Sequence, residues 1–337
     1  MHNYQSNLFS KLVVSMNNTT FSDIPFHKIV KFGQETMLDQ NLFSISWILG
    51  RFCNYKCSYC WPYANSQTPD YQELTVYINT MNEIRAQASD NGFTRFHWSF
   101  SGGEPTAYKH SLELMSRVHY DSIHMTTNLS PGLQWWTRWL DATQLSRRRS
   151  ITASYHAEFA NEDEFIEKCL FLQENNVLVT VNQVMVPGHF AELYDRCSRM
   201  ANKGINVTLK PQSNETASGI VDGYDDNMIR LMQNGFPQQV NDQEVLQVKL
   251  IDDEQKIWHI DQAERFNSFG FNKFKGWTCN SGYQSVIIRE NEVKRSYSCH
   301  DQRLGTLDGG FKLFDTPKVC TTQSCVSSAD SKIPKCK

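Results

Sequence analysis

The stretch Arg51-Phe-Cys-Asn-Tyr-Lys-Cys-Ser-Tyr-Cys-Trp61 holds three cysteines at the spacing C-x3-C-x2-C. Three thiolates on one short loop can bind three irons of a [4Fe–4S] cube, whereas the usual structural arrangement uses four cysteines. One iron would then lack a protein ligand, and an open coordination position is where a bound metal does chemistry. A zinc loop and a set of unrelated reduced thiols are the alternatives.

A second motif, Ser101-Gly-Gly-Glu-Pro105, directly follows the apolar run Phe96-His-Trp-Ser-Phe100. That run predicts a buried strand. Two adjacent glycines let a backbone approach a ligand closely, and a carboxylate just beyond them can bind a ligand amine. A ligand-binding turn at the end of a strand argues against a simple zinc loop.

Together the two motifs resemble those of the radical S-adenosylmethionine (SAM) enzymes. In that family the amine and carboxylate of SAM chelate the open iron. An electron from the cluster cleaves SAM to methionine and a 5′-deoxyadenosyl radical, which abstracts a hydrogen atom from the substrate. The resemblance implies that the catalytic [4Fe–4S] cluster is bound by Cys53, Cys57 and Cys60, and that SAM is bound by Gly102, Gly103 and Glu104. The Glu104 carboxylate is expected to hold the SAM amine.

Composition limits the remaining classes. The chain has 337 residues and a formal net charge of −3, so it lacks the basic character that nucleic-acid binding usually needs. It has no apolar run of the roughly 18 residues that a membrane helix needs, and its N-terminus does not resemble a signal peptide. We therefore expect a cytoplasmic protein with reduced thiols, in which 10 cysteines favour metal binding over disulfides.

Six strand patterns alternate with helical patterns from residue 43 onward, and the first two helices are predicted over Asp70–Ser89 and 108–118. The strands are predicted at Leu42–Leu49, Arg95–Phe100, Ser122–Asn128, Ser150–His156, Val177–Met185 and Ile205–Pro211. Such alternation predicts an α/β fold with parallel pairing and right-handed crossovers. The resemblance implies a partial (βα)6 TIM-like barrel over residues 43–212. Residues 1–42 are predicted as an N-terminal extension, 213–270 as a linker and 271–337 as a small C-terminal β-hairpin/loop iron–sulfur domain.

The ends of these strands supply further candidates by the same resemblance. Thr126, Thr127 and Asn128 are expected near the SAM methionine, and Ser154 near the ribose. The adenine is expected to lie near Asn182, Gln183, Met185 and Tyr59. Each could instead cap a strand or fill the core. His156 is a candidate catalytic residue, with Glu158 as a possible acid/base partner, although such a histidine is more often simply hydrogen-bonded. Lys210 and Gln212 would face the pocket of a barrel.

Half of the cysteines lie near the C-terminus. A hairpin predicted from Gln284–Arg289 and 293–298 places Cys279 and Cys299 at its two ends, and Cys320-x4-Cys325 follows. This pattern resembles the twitch, or shortened SPASM, extension of radical SAM enzymes. The resemblance implies one auxiliary [4Fe–4S] cluster bound by Cys279, Cys299, Cys320 and Cys325.

Several alternatives for the cysteines stay open. A zinc site with four cysteine ligands matches the spacing as well. Ser327 stands where related sequences often carry another cysteine, which speaks against a second auxiliary cluster, and Cys336 could replace or supplement a ligand. Cys169 and Cys197 lack partners at ligand spacing, so we interpret them as buried structural thiols.

The sequence thus predicts a radical SAM enzyme, with an oxidative modification such as dehydrogenation or cross-linking as its reaction. A small metabolite is the favoured substrate, because the predicted extension of residues 1–42 is too short for a leader-binding domain of roughly 80–90 residues. A peptide maturase that forms a cross-link is the alternative, and a non-catalytic iron–sulfur or zinc protein is a third hypothesis. The expected reductant is an electron donor such as flavodoxin or ferredoxin.

Overall fold

A computed structural model describes residues 24–39, 41–60, 66, 68–215, 219–237, 248–260, 271–299 and 303–337. Much of the predicted extension and part of the stretch 213–270 lie outside these residues. The strands are β1 Ile29–Gln34, β2 Leu42–Ile48, β3 Arg95–Ser101, β4 Ser122–Thr127, β5 Arg148–Tyr155, β6 Leu178–Met185, β7 Asn206–Pro211, β8 Val248–Asp252, β9 Ile257–Ile260, β10 Thr278–Cys279, β11 Ser285–Arg289, β12 Glu292–Lys294, β13 Arg303–Thr306, β14 Gly310–Phe311, β15 Lys318–Val319 and β16 Lys335–Cys336. The helices are α1 Glu35–Asp39, α2 Leu74–Asp90, α3 Ser111–Met115, α4 Leu133–Ala142, α5 Glu162–Glu174, α6 Phe190–Asn202, α7 Asp226–Asn234 and α8 Ser328–Ser331.

The main sheet contains all six predicted strands, β2 to β7, in sequence order and parallel. Helices α2 to α6 connect them, so the prediction of an α/β fold with parallel crossovers is confirmed. Among the described residues the outer strands β7 and β14 do not pair with each other, and the sheet stays open. This arrangement is a partial TIM-like barrel.

The two faces of this sheet differ sharply in polarity. Alternate residues such as Trp47, Trp98 and Val181 are completely buried and pack against the helices in the main hydrophobic cluster. The other face carries partly exposed Ser, Thr, His and Asn side chains, and we call it the inner face. Its members include Ser46, Ser99, His124, Thr126, Thr152, Ser154, Thr180, Asn182 and Thr208. Because side chains alternate along a strand, this division fixes which residues can meet a ligand in the barrel.

Helix bounds differ from the predicted ones near the site. The first helix, predicted from Asp70 to Ser89, begins at Leu74, because the Asp70 carboxylate instead accepts hydrogen bonds from the backbone N–H groups of Arg51 and Phe52. The second, predicted over 108–118, covers only Ser111–Met115. Both differences leave longer loops at the carboxyl ends of the preceding strands.

A second sheet has the order β15-β10-β16-β1-β8-β9. It joins strands from the predicted extension, the predicted linker and the C-terminal region, so these stretches pack together. The predicted hairpin is confirmed as β11 and β12, with a shorter second strand. Strand β11 also pairs in parallel with β2, with Ser285 opposite Ser44, and this attaches the hairpin to the main sheet.

Within the described ranges, no helix combines the length and the apolar character needed to cross a bilayer.

Candidate functional site

The loop that carries the first three cysteines leaves the carboxyl end of β2 and is anchored by two carboxylates. Asp70 accepts hydrogen bonds from the N–H groups of Arg51, at 2.8 Å, and Phe52, at 3.1 Å. Glu158 accepts from the N–H of Ser58, at 2.8 Å, and from its hydroxyl. The backbone on both sides of Cys53 and Cys57 is therefore fixed by elements that follow β2 and β5.

The three thiols of this loop are half-buried. Burial raises the pKa of Cys53, and burial together with the neighbouring Cys60 thiol raises the pKa of Cys57 to about 12. A thiol is a metal ligand only as the thiolate, so a bound cation would have to displace these protons. The Sγ atom of Cys53 accepts a hydrogen bond from the N–H of Tyr55 at 3.4 Å and lies 3.9 Å from Asn128 Nδ2.

These residues fit three corners of an iron–sulfur cube. The donor set consists of thiols alone, and N–H donors beside a cluster sulfur are among the groups that tune such centres. In the part of the chain that the structure describes, no three His, Cys, Asp or Glu side chains are grouped so as to hold a single metal ion. A cube takes one thiolate at each iron, so its ligands need not converge on one point.

The two glycines of the second motif make the closest backbone approach in the site. The N–H of Gly103 donates to the carbonyl of Gly50 at 2.9 Å, and the N–H of Glu104 donates to the carbonyl of Phe52 at 2.8 Å. A Cβ on Gly103 would lie 2.1 Å from the Phe52 carbonyl oxygen, and one on Gly102 would lie 2.4 Å from that of Gly50. The glycines are therefore required by the cysteine loop itself, whereas the sequence suggested an approach to a ligand.

Glu104 lies inside the protein, with only 1% of its surface exposed. Its Oε1 accepts from the N–H and hydroxyl of Thr106, at 3.0 and 2.7 Å, and from the Thr127 hydroxyl at 2.8 Å. Its Oε2 accepts from the N–H of Asn128 at 2.7 Å. Burial raises the pKa of this carboxyl, and the hydrogen bonds oppose that rise. The expectation that the carboxylate reaches out to the SAM amine does not fit this position, because its side chain ties the end of β3 to the end of β4.

Two of the residues predicted at the end of β4 take part in this arrangement. The Thr127 side chain is 2% exposed, and its hydroxyl donates a hydrogen bond to Glu104. Asn128 is 4% exposed, and its Nδ2 donates to Oδ1 of Asn54 at 2.9 Å beside Cys53. Asn54 was missed in the sequence, because nothing in its spacing separates it from any other loop asparagine.

The alternation of side chains along β5 and β6 divides the residues predicted to contact SAM into two groups. Ser154 lies opposite Asn182, and Asn182 opposite Thr208, all on the inner face. Gln183 and Met185 lie on the face that packs against the helices, with 1% and 0% of their surfaces exposed. Their side chains are thus enclosed in the core, which contradicts the prediction that they line the adenine, whereas Asn182 stays a candidate. The Gln183 Oε1 atom is buried without a hydrogen-bond partner.

An aromatic group borders the cysteine loop at the end of β5. The Tyr59 hydroxyl lies 3.0 Å from Nδ1 of His156, and the two rings stack with centroids 5.9 Å apart. Tyr55 stacks on Phe159 and meets His156 edge-on. Burial lowers the pKa of His156 to about 4, so its imidazole is neutral near pH 7. Glu158 is bound to Ser58 rather than to His156, and the two do not form the suggested acid/base pair.

Lys210 and Gln212 lie at and just beyond the end of β7. Lys210 is a partly exposed inner-face residue, whereas Gln212 follows β7 and its N–H donates to the Tyr224 hydroxyl at 2.8 Å. Cys169 and Cys197 are completely buried in the main cluster, which confirms the interpretation of both as buried thiols.

Four C-terminal cysteines lie close together in the second sheet region. Cys279, Cys299, Cys320 and Cys325 are each at most 8% exposed. The Thr322 hydroxyl contacts the Cys299 sulfur at 3.7 Å, and the Thr322 carbonyl contacts the Cys320 sulfur at the same distance. Burial raises the pKa of Cys325 to about 12, with smaller contributions from Cys279 and Cys320. The donor set of four gathered thiols fits a second cluster.

Cys336 is placed differently from these four. In the antiparallel pair β10–β16, Thr278 lies opposite Cys336, and Cys279 lies opposite Lys335. Directly opposed residues point to the same side of a sheet, whereas adjacent ones point to opposite sides. Cys336 therefore points away from the side that carries Cys279.

One family model matches the part of the chain that holds the cysteine loop and most of the parallel sheet. Residues 47–210 match the family model described as Radical SAM superfamily. No curated protein matches the chain.

Among solved structures, the chain is similar to hexahistidine-tagged anSMEcpe with bound AdoMet, at 14% identity and a TM-score of 0.46, over 79% of this chain and 74% of that one. Native anSMEcpe with bound AdoMet and the Cp18Cys peptide gives 15% identity, a TM-score of 0.46 and coverage of 79% and 77%. Streptococcus suis SuiB bound to S-adenosylmethionine gives 13% identity, a TM-score of 0.34 and coverage of 81% and 64%.

Proposed function

We propose that this chain is a radical SAM enzyme that reductively cleaves SAM and abstracts a hydrogen atom from its substrate. The observation that carries the proposal is the junction of two motifs at the carboxyl ends of β2 and β3. There the Gly-Gly-Glu turn is hydrogen-bonded to residues 50 and 52, next to a loop with three half-buried thiols. The carboxyl end of parallel strands is where barrel enzymes build their sites.

Cys53, Cys57 and Cys60 would hold the catalytic cluster. When bound, it supplies the electron that splits SAM into methionine and a 5′-deoxyadenosyl radical. The chain's own contribution is to fix the loop: Asp70 and Glu158 hold its backbone, and Asn128 contacts both Asn54 and Cys53. Glu104 then acts as a positioning residue that joins the two strand ends beneath the site.

The inner face would receive SAM and the substrate. Ser154 and Asn182 lie opposite each other near the carboxyl ends of β5 and β6, and both are partly exposed. Hydroxyl and amide groups suit the ribose and adenine of SAM. Tyr59, held by His156, would pack against the adenine. The serines and threonines farther along this face favour a polar small metabolite, and a peptide remains the alternative.

SAM binding at the cluster gives a test that needs no substrate. Anaerobically reconstituted and reduced protein should show an electron paramagnetic resonance signal that changes when SAM is added, because SAM would ligate the open iron. The Cys53→Ala, Cys57→Ala and Cys60→Ala triple variant should show no SAM-dependent change. A wild-type signal that is indifferent to saturating SAM would exclude the proposed cofactor site.

We further propose that Cys279, Cys299, Cys320 and Cys325 hold one auxiliary [4Fe–4S] cluster in a twitch-like module. Their close grouping and thiol-only chemistry support this assignment. Such a cluster can accept the electron left after hydrogen abstraction, which would make the net reaction an oxidation. Wild type should bind about eight irons and the triple variant about four. Zinc without iron in the triple variant would instead favour a structural zinc site.

The ten free thiols of the chain suit the reducing cytoplasm, where a donor such as flavodoxin or ferredoxin would supply the electron. Deuterium transfer from a labelled candidate substrate into 5′-deoxyadenosine would identify the substrate class. A peptide that transfers deuterium when small polar metabolites do not would replace the small-molecule proposal.

A further inference from the structure

Lys335 is a lysine in the interior of the C-terminal region. Its side chain is 2% exposed and ranks among the largest fully buried side chains of the described residues. Burying an ammonium group costs several kcal/mol unless an anion compensates it. The groups around Lys335 therefore show whether an anion compensates its charge.

The direct partners of the ammonium group are uncharged. Nζ donates to the carbonyl oxygens of Asp330 and Ile333, both at 2.8 Å, and of Ser331 at 3.4 Å. It also lies 4.7 Å from the Phe274 ring centroid and 5.7 Å from that of Phe32. These contacts satisfy hydrogen bonds but bring no full negative charge.

The carboxylate of the neighbouring Asp330 forms hydrogen bonds with other residues. Asp330 accepts from the N–H and hydroxyl of Ser298, at 2.6 and 2.7 Å, and from the N–H of Tyr297 at 3.3 Å. Among the described residues, no carboxylate forms an ion pair with Lys335. Its charge thus lacks a counter-ion within the described part of the chain.

Strand register places Lys335 beside the four gathered thiols. Cys279 lies directly opposite Lys335 in β10–β16, so the two side chains project from the same side of the sheet. The Phe32 and Phe274 rings beside the ammonium group belong to the same buried cluster as Cys279, Cys320 and Cys325. A cation buried on the cysteine side faces the position of the proposed auxiliary cluster.

We propose that Lys335 is the buried counter-ion of the auxiliary iron–sulfur cluster and raises its reduction potential. The inference rests on the auxiliary cluster of the proposed function. An oxidised cube with four thiolates carries a net charge of about −2, and reduction adds another negative charge. A fixed cation in a medium of low dielectric constant stabilises the reduced form more than the oxidised form. Lys335 would thereby help the cluster accept an electron.

The test uses the triple variant that lacks the catalytic-loop cysteines, so that only the auxiliary cluster is observed. In that background Lys335→Met removes the charge at similar side-chain length, and Lys335→Arg keeps it. Lys337→Met is the matched control, since Lys337 is exposed and lies two residues away. The readout is the midpoint potential from a mediated redox titration, together with iron per chain.

Lys335→Met should shift the ratio of oxidised to reduced cluster at least tenfold toward the oxidised form, which is about 59 mV for one electron. Lys335→Arg and Lys337→Met should each stay within about threefold of the parent, well below that shift. A Lys335→Met variant that loads no iron, beside a Lys335→Arg variant that loads about four, would also support the proposal. It would show that the cluster needs a positive charge at this position.

Two results would overturn the inference alone. One is a loaded Lys335→Met variant with the potential of its parent. The other is an equal midpoint potential and iron content of the Met and Arg variants. That result would mean that Lys335 only holds the segment 330–333 by hydrogen bonds. An iron-free parent would refute the auxiliary cluster itself, and this inference with it.

Discussion

The Thr127 hydroxyl donates a 2.8 Å hydrogen bond to Oε1 of the buried Glu104 carboxylate, and this bond joins the ends of two neighbouring parallel strands. The same carboxylate also accepts from Thr106 and Asn128. A motif residue that the sequence assigned to ligand binding is thus held within the framework of the site.

Glu104→Ala should destabilise the protein by about 3 kcal/mol or more, because it leaves several buried donors without an acceptor. Urea unfolding measures this loss. Glu113→Ala is the matched control: its side chain is 52% exposed, and the expected change is within about 0.5 kcal/mol. Equal effects of the two substitutions would contradict the framework role of Glu104.

Gly103→Ala should prevent assembly of the catalytic cluster. The added Cβ would meet the Phe52 carbonyl oxygen at 2.1 Å and push the cysteine loop from its place. Iron analysis after reconstitution should show a loss of about four irons per chain. Gly132→Ala is the control, because a Cβ there meets nothing within 4 Å. Full iron loading of Gly103→Ala would show that the close approach is dispensable.

Inner-face and core-face residues should respond differently to substitution. Ser154→Ala should weaken SAM binding by about twofold to tenfold, the worth of one ordinary hydrogen bond. Met185→Leu nearly conserves volume in the core, so the SAM dissociation constant should change by less than about twofold. Isothermal titration calorimetry compares the two variants. A larger loss of affinity in Met185→Leu would restore the original assignment of the adenine site.

Two inner-face histidines should make stability depend on pH. Burial, with the nearby Arg148 and Lys332 charges, lowers the pKa of His97 to about 4, and burial and His97 lower that of His124 to about 3. The unfolded chain takes up these protons near about pH 6.5. The unfolded state therefore binds more protons below that pH, and the free energy of unfolding falls as the pH drops from about 6.5 toward 4.

The comparison of urea midpoints at about pH 7 and about pH 5 checks this prediction. The double variant His97→Gln and His124→Asn should lose part of the pH dependence. Substitution of the exposed His119 by Asn should leave it unchanged. A double variant with the full wild-type pH dependence would show that these two histidines are not its source.

The main sheet could be predicted from sequence because its strands alternate large apolar residues with polar ones, as Trp98 and Ser99 do. The prediction for β6 was wrong because it gave more weight to nearness to the strand end than to the alternation of side chains. That alternation buries Gln183 and Met185. The second sheet escaped prediction because strands such as β10 and β16 have two residues each and partners distant in the chain. Local pattern carries no information on such pairings.

Lys335 and Asn54 show the same limit within the sites. A lysine in sequence is expected at the surface, and only the pairing of β16 with β10 places Lys335 opposite Cys279. Asn54 becomes recognisable only through its 2.9 Å contact with Asn128 from another strand end. The cysteine spacing, by contrast, is local and could be read directly.

Reductive cleavage of SAM tests the central claim most directly. Wild-type protein, reconstituted anaerobically and reduced with dithionite, should form 5′-deoxyadenosine and methionine in equal amounts, measured by liquid chromatography and mass spectrometry. The Cys53→Ala, Cys57→Ala and Cys60→Ala variant should form neither, because the loop would no longer bind its cluster. Undiminished formation of 5′-deoxyadenosine by that variant, or none by fully loaded wild type, would contradict the assignment of this chain as a radical SAM enzyme.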